Sequence, residues 1–164
     1  MQIRDAVADD ARAIAAIYNP FIADTTISFE EAPVTDAVMA QRIADVQAGG
    51  LPWLVAERDG AVLGYAYATK WRVRHAYRFS VESSVYLAPG SARQGLGSAL
   101  YAALLERLTA CGCHLVIGGI ALPNAASVAL HEKMGYEKVA HFREVGFKFG
   151  RWLDVGYWQK TLAG

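Results

Sequence analysis

Cysteine is almost missing from this sequence: Cys111 and Cys113 are the only two. They stand too close together for an ordinary structural disulfide, and they lack the companions of a zinc site. A metal centre is therefore not expected, and a reducing, cytoplasmic setting is. Net charge is also missing. Sixteen Lys and Arg balance sixteen Asp and Glu, which argues against a nucleic-acid binder relying on a strong positive field. No run reaches the roughly 20 apolar residues of a spanning helix. The opening MQIRDAVADDAR is charged from Arg4 onward and does not read as a secretory h-region. Neither a membrane nor a nucleic acid is expected as partner. Internal repeats, low-complexity tracts and long linkers are absent too.

What is present is a chain of 164 residues, 54% apolar, enough for a single domain, 1–164, with a sizeable core. Residues 2–6 read as a strand. Asp9 or Asp10 is placed to cap a helix reaching about Phe21, with Ile14, Ile17 and Tyr18 on its apolar face. Thr35 caps a second helix that Gly49–Gly50 end. WLVAERDGAVLGYAYA reads as a hairpin turning at Asp59–Gly60. In RFSVESSVYLAP, Phe79, Val81, Ser83, Val85 and Leu87 point one way, and Ser80, Glu82, Ser84 and Tyr86 the other. Leu100, Leu104 and Leu108 mark a core-facing helix. HLVIGGIA is a buried strand. NAASVALHEKMGY is a helix capped by Asn124 and ended by Gly135. The last segment is a second hairpin turning near Gly150, with Trp152 and Trp158 read as hairpin packing. The order β-α-α-β-β-β-α-β-α-β-β predicts a mixed α/β domain rather than a purely parallel sheet.

The stretch GSARQGLGSALYAALLERL, residues 90–108, places Gly95 and Gly97 just ahead of a helix. Such glycines can simply punctuate strand and helix. They can also let backbone N–H groups close on an anion, to which the helix N-terminus adds free donors and its positive dipole end. No Gly-Lys-Ser/Thr follows, so the turn is not a P-loop. Leu100 stands where a dinucleotide fold would place its third glycine.

The sequence strand–ARQGLG–helix, then strand, then NAASVALHEKMGY, resembles the GNAT N-acetyltransferase superfamily. The pyrophosphate turn of that superfamily reads Gln/Arg-x-x-Gly-x-Gly/Ala, and here Ala92 takes the first position. Its second element is matched by Asn124, Ser127, Leu130, Gly135 and Tyr136, with His131 in place of the usual Tyr. Nearly the whole chain is similar to the phosphinothricin and methionine-sulfoximine acetyltransferases, in which a His stands at the position of His131. The resemblance implies an α/β GNAT fold: a central mixed, mostly antiparallel sheet flanked by helices, with a splayed cleft for acetyl-CoA. It implies a homodimer that acetylates the α-amino group of a small amino-acid analogue. Cofactor contacts are then expected at Val85, Tyr86 and Leu87, through Arg93, Gln94, Gly95, Leu96, Gly97 and Ser98, and at Asn124.

The chemistry has its own requirements. An α-ammonium group cannot attack a thioester until a base removes a proton. The resemblance assigns that role to Glu82, and burial would make it a better base than a free carboxyl of pKa about 4.3. A strand glutamate of this kind is otherwise exposed or paired, here with Arg78. The oxyanion needs a donor, for which the resemblance offers a backbone N–H around Val85. His131, ordinarily a helix-surface histidine, lies near the thiol in this frame, where it can protonate the leaving thiolate or relay a proton. KWRVRHAYR, residues 70–78, is ordinarily a solvated charged loop. As a substrate clamp it would use Arg for bidentate pairing with a carboxylate. Arg72, Val73, Arg74 and Tyr77 are the expected substrate contacts, with Phe29 covering the site and Glu82, Ser83 and Ser84 beneath it. If the loop is extended, Arg72 and Arg74 lie on one side of Val73. The alternatives are an acetyltransferase of the same fold for a polyamine, an antibiotic or a protein N-terminus, or a non-catalytic acyl-CoA-binding module.

Overall fold

The computed structural model describes residues 1–92 and 95–162. Arg93 and Gln94, expected in the glycine turn, lie outside the described residues. The elements run β1 (Gln2–Asp5), α1 (Ala11–Asp24), α2 (Asp36–Ala48), β2 (Trp53–Arg58), β3 (Ala61–Lys70), β4 (Ser80–Leu87), α3 (Leu96–Ala110), β5 (Leu115–Leu122), α4 (Ala125–Lys133), β6 (Glu137–Lys148) and β7 (Arg151–Thr161). This is the order the sequence predicts.

Local chemistry accounts for most of the boundaries. Thr35 accepts a hydrogen bond from the Val38 N–H at 3.1 Å, and Asn124 one from the Ser127 N–H at 3.1 Å, so both cap their helices. Asp59 and Gly60 have φ of 51° and 80°. Both are left-handed, the backbone that a two-residue hairpin requires. The start of α1 differs from expectation. The Asp10 carboxylate accepts from the Val7 N–H and pairs with Arg4 at 2.8 Å. It therefore closes the single 3-10 turn Ala8–Asp10 instead of capping α1. The far end of α1 also runs on to Asp24, past Pro20. Ile22 is 2% exposed, and burying it favours the extra turn, while the Thr25 hydroxyl satisfies the Phe21 carbonyl at 2.7 Å.

One seven-stranded sheet runs β1-β2-β3-β4-β5-β7-β6. Every neighbouring pair is antiparallel except β4 with β5. Helices α1 and α2 cover one face, around Ile14, Met39, Trp53 and Tyr65. Helix α3 covers the other, burying Leu100, Leu104 and Leu108 completely against Ala66, Ala68, Val81 and Val116. The alternation read in β4 is observed: Val81 and Ser83 are buried on the α3 side, and Tyr86 packs against Tyr18 and Phe21 of α1.

The pairing that positions the site is the one that stops early. β4 pairs with β3 from Val81 to Leu87, and β5 pairs with β7 from Leu115 to Leu122. Yet β4 and β5 pair with each other only over Ser80–Leu115, Val81–Val116 and Glu82–Ile117. Beyond Glu82 the two halves of the sheet diverge.

Truncating the buried face of α3 should be costly. Leu104→Ala is expected to lower the unfolding free energy by about 2–5 kcal/mol. Val73→Ala, at a side chain 97% exposed, should change it by no more than about 0.5 kcal/mol. Equal denaturation midpoints for the two variants would contradict this core.

Candidate active site

The divergence of β4 from β5 leaves the β5-facing edge of Ser83 to Leu87 without a strand partner, so backbone groups there are free to bond a ligand as an added strand would. A narrow cleft opens at this point. Ser84, Val85 and Tyr86 form one wall, Gly119 and Ala121 the other, and Asn124 and His131 of α4 close it from behind. At its outer end α3 begins. Gly95 is the N-cap with φ of 74°, and the space beside its Cα is open. The first amides of this 15-residue helix have no helical acceptor. Gly97, in contrast, faces inward. A Cβ there would lie 3.3 Å from Leu130 Cδ2, so its small size serves the contact between α3 and α4 as well as any anion outside.

Glu82 sits where pairing ends. Its carboxylate shares a face with Ser80 and Ser84, and a Cβ on Gly119 would stand 3.3 Å from Glu82 Oε2 and 3.0 Å from the Tyr157 ring. The bare backbone of Gly119 therefore makes room for both groups. Burial pushes the Glu82 carboxyl above its ordinary range, and the positive charge of Arg72 draws it part of the way back. The alternative, a pairing with Arg78, is not found among the described residues: that guanidinium lies over the Phe79 ring and donates to the His75 carbonyl.

His131 is not on the helix surface. It is 4% exposed and sets the Nε2–Cδ2 edge of its ring against Gly118, where a Cβ would come within 2.6 Å of Nε2. Its Nδ1 is 2.7 Å from the Ser127 carbonyl, which can only accept, so Nδ1 carries the proton. Burial holds the ring's pKa below the usual histidine value, partly opposed by this hydrogen bond. In the neutral ring Nε2 is then an acceptor, and it takes the Tyr101 hydroxyl at 3.0 Å. Ser83, expected beneath the substrate, turns its hydroxyl to Tyr136 at 2.8 Å and Tyr101 at 3.4 Å. Tyr136, Ser83, Tyr101 and His131 thus form one buried polar chain along the cleft.

The basic loop departs from an extended strand. The chain bends at Val73 and Arg74 and turns through the 3-10 turn His75–Tyr77, so it is not the extended strand that would place Arg72 and Arg74 on one side of Val73. Arg72 stacks on Trp71 with its guanidinium carbon 4.0 Å from the ring centroid. It lines a second cavity of about 370 Å³ together with Trp71, Tyr77, Ile117, Phe142 and Tyr157. Arg74 does not line this cavity, and Val73 is almost wholly exposed. Glu82 lies at the border of the two spaces: Gly119 beside its carboxylate lines the first, and its register partner Ile117 lines the second. Phe29 packs on Gly146 of β6, and its neighbour Ile27 reaches the cleft.

Tyr101, Ile27, Trp71 and Tyr157 are site residues that sequence reading missed. Tyr101 shares the helical spacing of Leu100 and Leu104 and reads as core. The adjacent glycines of HLVIGGIA were the available signal, since glycine inside a strand marks a close approach.

Residues 3–156 match the family model for the acetyltransferase (GNAT) domain. The phosphinothricin N-acetyltransferase of Alcaligenes faecalis is 46% identical over 155 residues, covering 94% of this chain and 79% of that protein. The L-methionine sulfoximine/L-methionine sulfone acetyltransferase of Pseudomonas aeruginosa is 43% identical, with 98% and 94% covered. The crystal structure of a GNAT superfamily phosphinothricin acetyltransferase from Sinorhizobium meliloti in complex with acetyl-CoA superimposes with a TM-score of 0.95. Its identity is 42%, and the match covers 99% of this chain and 88% of that one.

Gly118→Ala is expected to force the His131 ring off β5 and break its contact with Tyr101. A more hydrated ring loses the burial that depresses its pKa, so NMR titration should show His131 moving up toward the ordinary histidine value. An unchanged titration would contradict the packing described.

Proposed function

The chain belongs to the acetyltransferase (GNAT) domain family and is an acetyl-CoA-dependent N-acetyltransferase, and from that premise we propose that it acetylates the α-amino group of a small amino-acid analogue of the phosphinothricin or methionine sulfoximine type, with Glu82 as general base. The observation carrying this reading is the position of Glu82, a desolvated carboxylate at the border of the two cavities.

The residues fit acetyl-CoA. The unpaired edge at Val85, Tyr86 and Leu87 suits its amide-bearing arm. The open αL turn at Gly95 and the first amides of α3, at Leu96, Gly97 and Ser98, suit its pyrophosphate, with Arg93 and Gln94 assigned beside them by the resemblance. Asn124 then serves as cap and cofactor contact together. When bound, acetyl-CoA supplies the acetyl thioester. Glu82 takes a proton from the ammonium, directly or through water, leaving a nitrogen lone pair for the carbonyl carbon. A backbone N–H near Val85 donates to the oxygen as it gains charge. The second proton, which this nitrogen must lose to become an amide, passes to the sulfur as the C–S bond breaks, so the thiol leaves and Glu82 retains only the first. His131 contributes through Tyr101, because both of its ring nitrogens are engaged.

The second cavity suits the acceptor. Arg72, held by its stacking on Trp71, answers the substrate carboxylate, with Tyr77 beside it; Phe29, Val73, Arg74, Ser83 and Ser84, the other residues assigned to the substrate by the resemblance, do not line this cavity, and Ser83 and Ser84 line the first. A polyamine would instead need carboxylates where Arg72 stands. We further propose a homodimer, acting in the cytoplasm. Phe142, Val145 and Phe147 of β6, Phe149 in the turn and Trp152 of β7 are each more than half exposed, an apolar face of the kind that a second copy covers. Trp152, read from the sequence as hairpin packing, meets the Phe147 ring of β6 at 4.7 Å between centroids and is 63% exposed.

Glu82→Gln is expected to lower kcat by roughly 10²–10⁴ with acetyl-CoA KM little changed. In the parent enzyme the base works only when ionised. Its raised pKa should therefore place the acid limb of the rate profile above the ordinary carboxylate value of about 4.3, and the variant should lose that limb. A near-parental rate across the pH range would reduce Glu82 to a structural residue. For assembly, sedimentation should give twice the 17.8 kDa chain mass; a fully active monomer would contradict the dimer.

A further inference from the structure

Lys148, near the end of β6, is 2% exposed, and the proposed reaction does not use it. A buried ammonium normally has a carboxylate partner. Here the direct partners are two neutral carbonyls: Nζ donates to Thr25 O at 2.8 Å and to Ser28 O at 2.6 Å. Glu30 and Glu31 act on it only at a distance. The two carbonyls belong to the segment joining α1 to α2, more than a hundred residues away in sequence.

That segment, residues 25–31, is held from both sides. On the α1–α2 side, Ser28 Oγ lies 2.7 Å from the Tyr18 hydroxyl, which also bonds Glu30. Glu30 is paired with Arg42 of α2 at 2.7 Å. On the β6 side, the Phe29 ring occupies the space that a Cβ on Gly146 would take, and Lys148 holds the carbonyls on either side of Ile27. Ile27 itself makes no polar side-chain contact and lines the cleft opposite Gly119. The segment is therefore a strap, clamped at both margins, whose middle forms part of the cleft wall on the face to which Glu82 points.

We propose that Lys148 is a positioning residue for the acceptor: by binding the carbonyls of Thr25 and Ser28 it fixes the strap, and with it Ile27, in the cleft wall on the face to which Glu82 points. The desolvation of the ammonium is offset by charge-assisted hydrogen bonds that no neutral side chain would make as strongly. Ile27 shares its cleft with Val85, Tyr86 and Asn124, but the cofactor's charge is held by the residues proposed at the N-terminus of α3, away from the strap, so loss of the clamp should fall far more on the acceptor than on acetyl-CoA.

Lys148→Met keeps the apolar stem and removes the donors; Lys148→Arg keeps donors. In Lys148→Met, amides of residues 25–31 should exchange with deuterium at least tenfold faster. The acceptor KM should rise at least fivefold, acetyl-CoA KM should stay within twofold, and Lys148→Arg should restore most of both. Gly146→Ala, which removes the seat of Phe29, should give the same split and serves if Lys148→Met does not fold. The inference rests on the acetyltransferase reading but not on the choice of amine: L-methionine sulfoximine and spermidine are run in parallel, and whichever the parent enzyme acetylates reports the KM. Turnover of spermidine alone would overturn the amino-acid reading and leave this test intact. Faster exchange with an unchanged acceptor KM would overturn the positioning role. So would an equal change in both KM values, or no change in exchange.

Discussion

The early end of the β4–β5 pairing is the constraint on which the site depends. Each strand remains satisfied on its outer side, β4 by β3 and β5 by β7. The sheet can therefore open after Glu82 and Ile117 without losing either half. The opening exposes a strand edge inside the molecule, where unpaired backbone groups cost free energy unless water or a ligand bonds them. An acyl carrier with amides along its length meets that demand. The same divergence puts the last paired residue of β4, Glu82, at the mouth of the gap. Its position and its shortage of solvent have one origin.

Glycine accounts for much of what lies around the gap. Gly118 and Gly119 face opposite sides of β5, one accommodating the His131 ring and the other leaving room for Glu82 and Tyr157. Gly95 supplies the left-handed residue from which α3 starts. These positions remove side-chain volume where chemistry or a ligand needs to approach. On the α3 side, the chain of Tyr136, Ser83, Tyr101 and His131 is buried yet bonded throughout. A neutral histidine suits such a place better than an imidazolium, which would lose its hydration with no carboxylate in contact.

The strap between α1 and α2 joins the two sides of the molecule. Its polar contacts run to Tyr18 and Arg42 on one margin and to Lys148 on the other. Ile27 is held between them by the backbone rather than by bonds of its own. A cleft wall built this way can be rigid while offering an apolar surface to whatever binds.

Much of this protein was legible from residue order. Hairpin turns at Asp59–Gly60 and Gly150, caps at Thr35 and Asn124, and the alternation of β4 depend on side chains acting within a few residues, so local chemistry determines them. The glycine turn and the Asn124 helix also pointed to an acyl-CoA site, through their resemblance to the GNAT superfamily. Other features were decided only by tertiary structure. Asp10 gave up capping α1 because Arg4, on the neighbouring strand, offered its carboxylate a charged partner. Of the two loop arginines only Arg72 lines the second cavity, where Trp71 offers its guanidinium an aromatic surface to lie on. Tyr101 reads as core by periodicity and becomes part of the cleft through contact with His131, thirty residues further along the chain. Lys148 is buried only because the fold carries it to Thr25 and Ser28. Burial and hydrogen-bond partners brought from distant segments are properties of packing, and the sequence by itself determined only the elements that packing had to arrange.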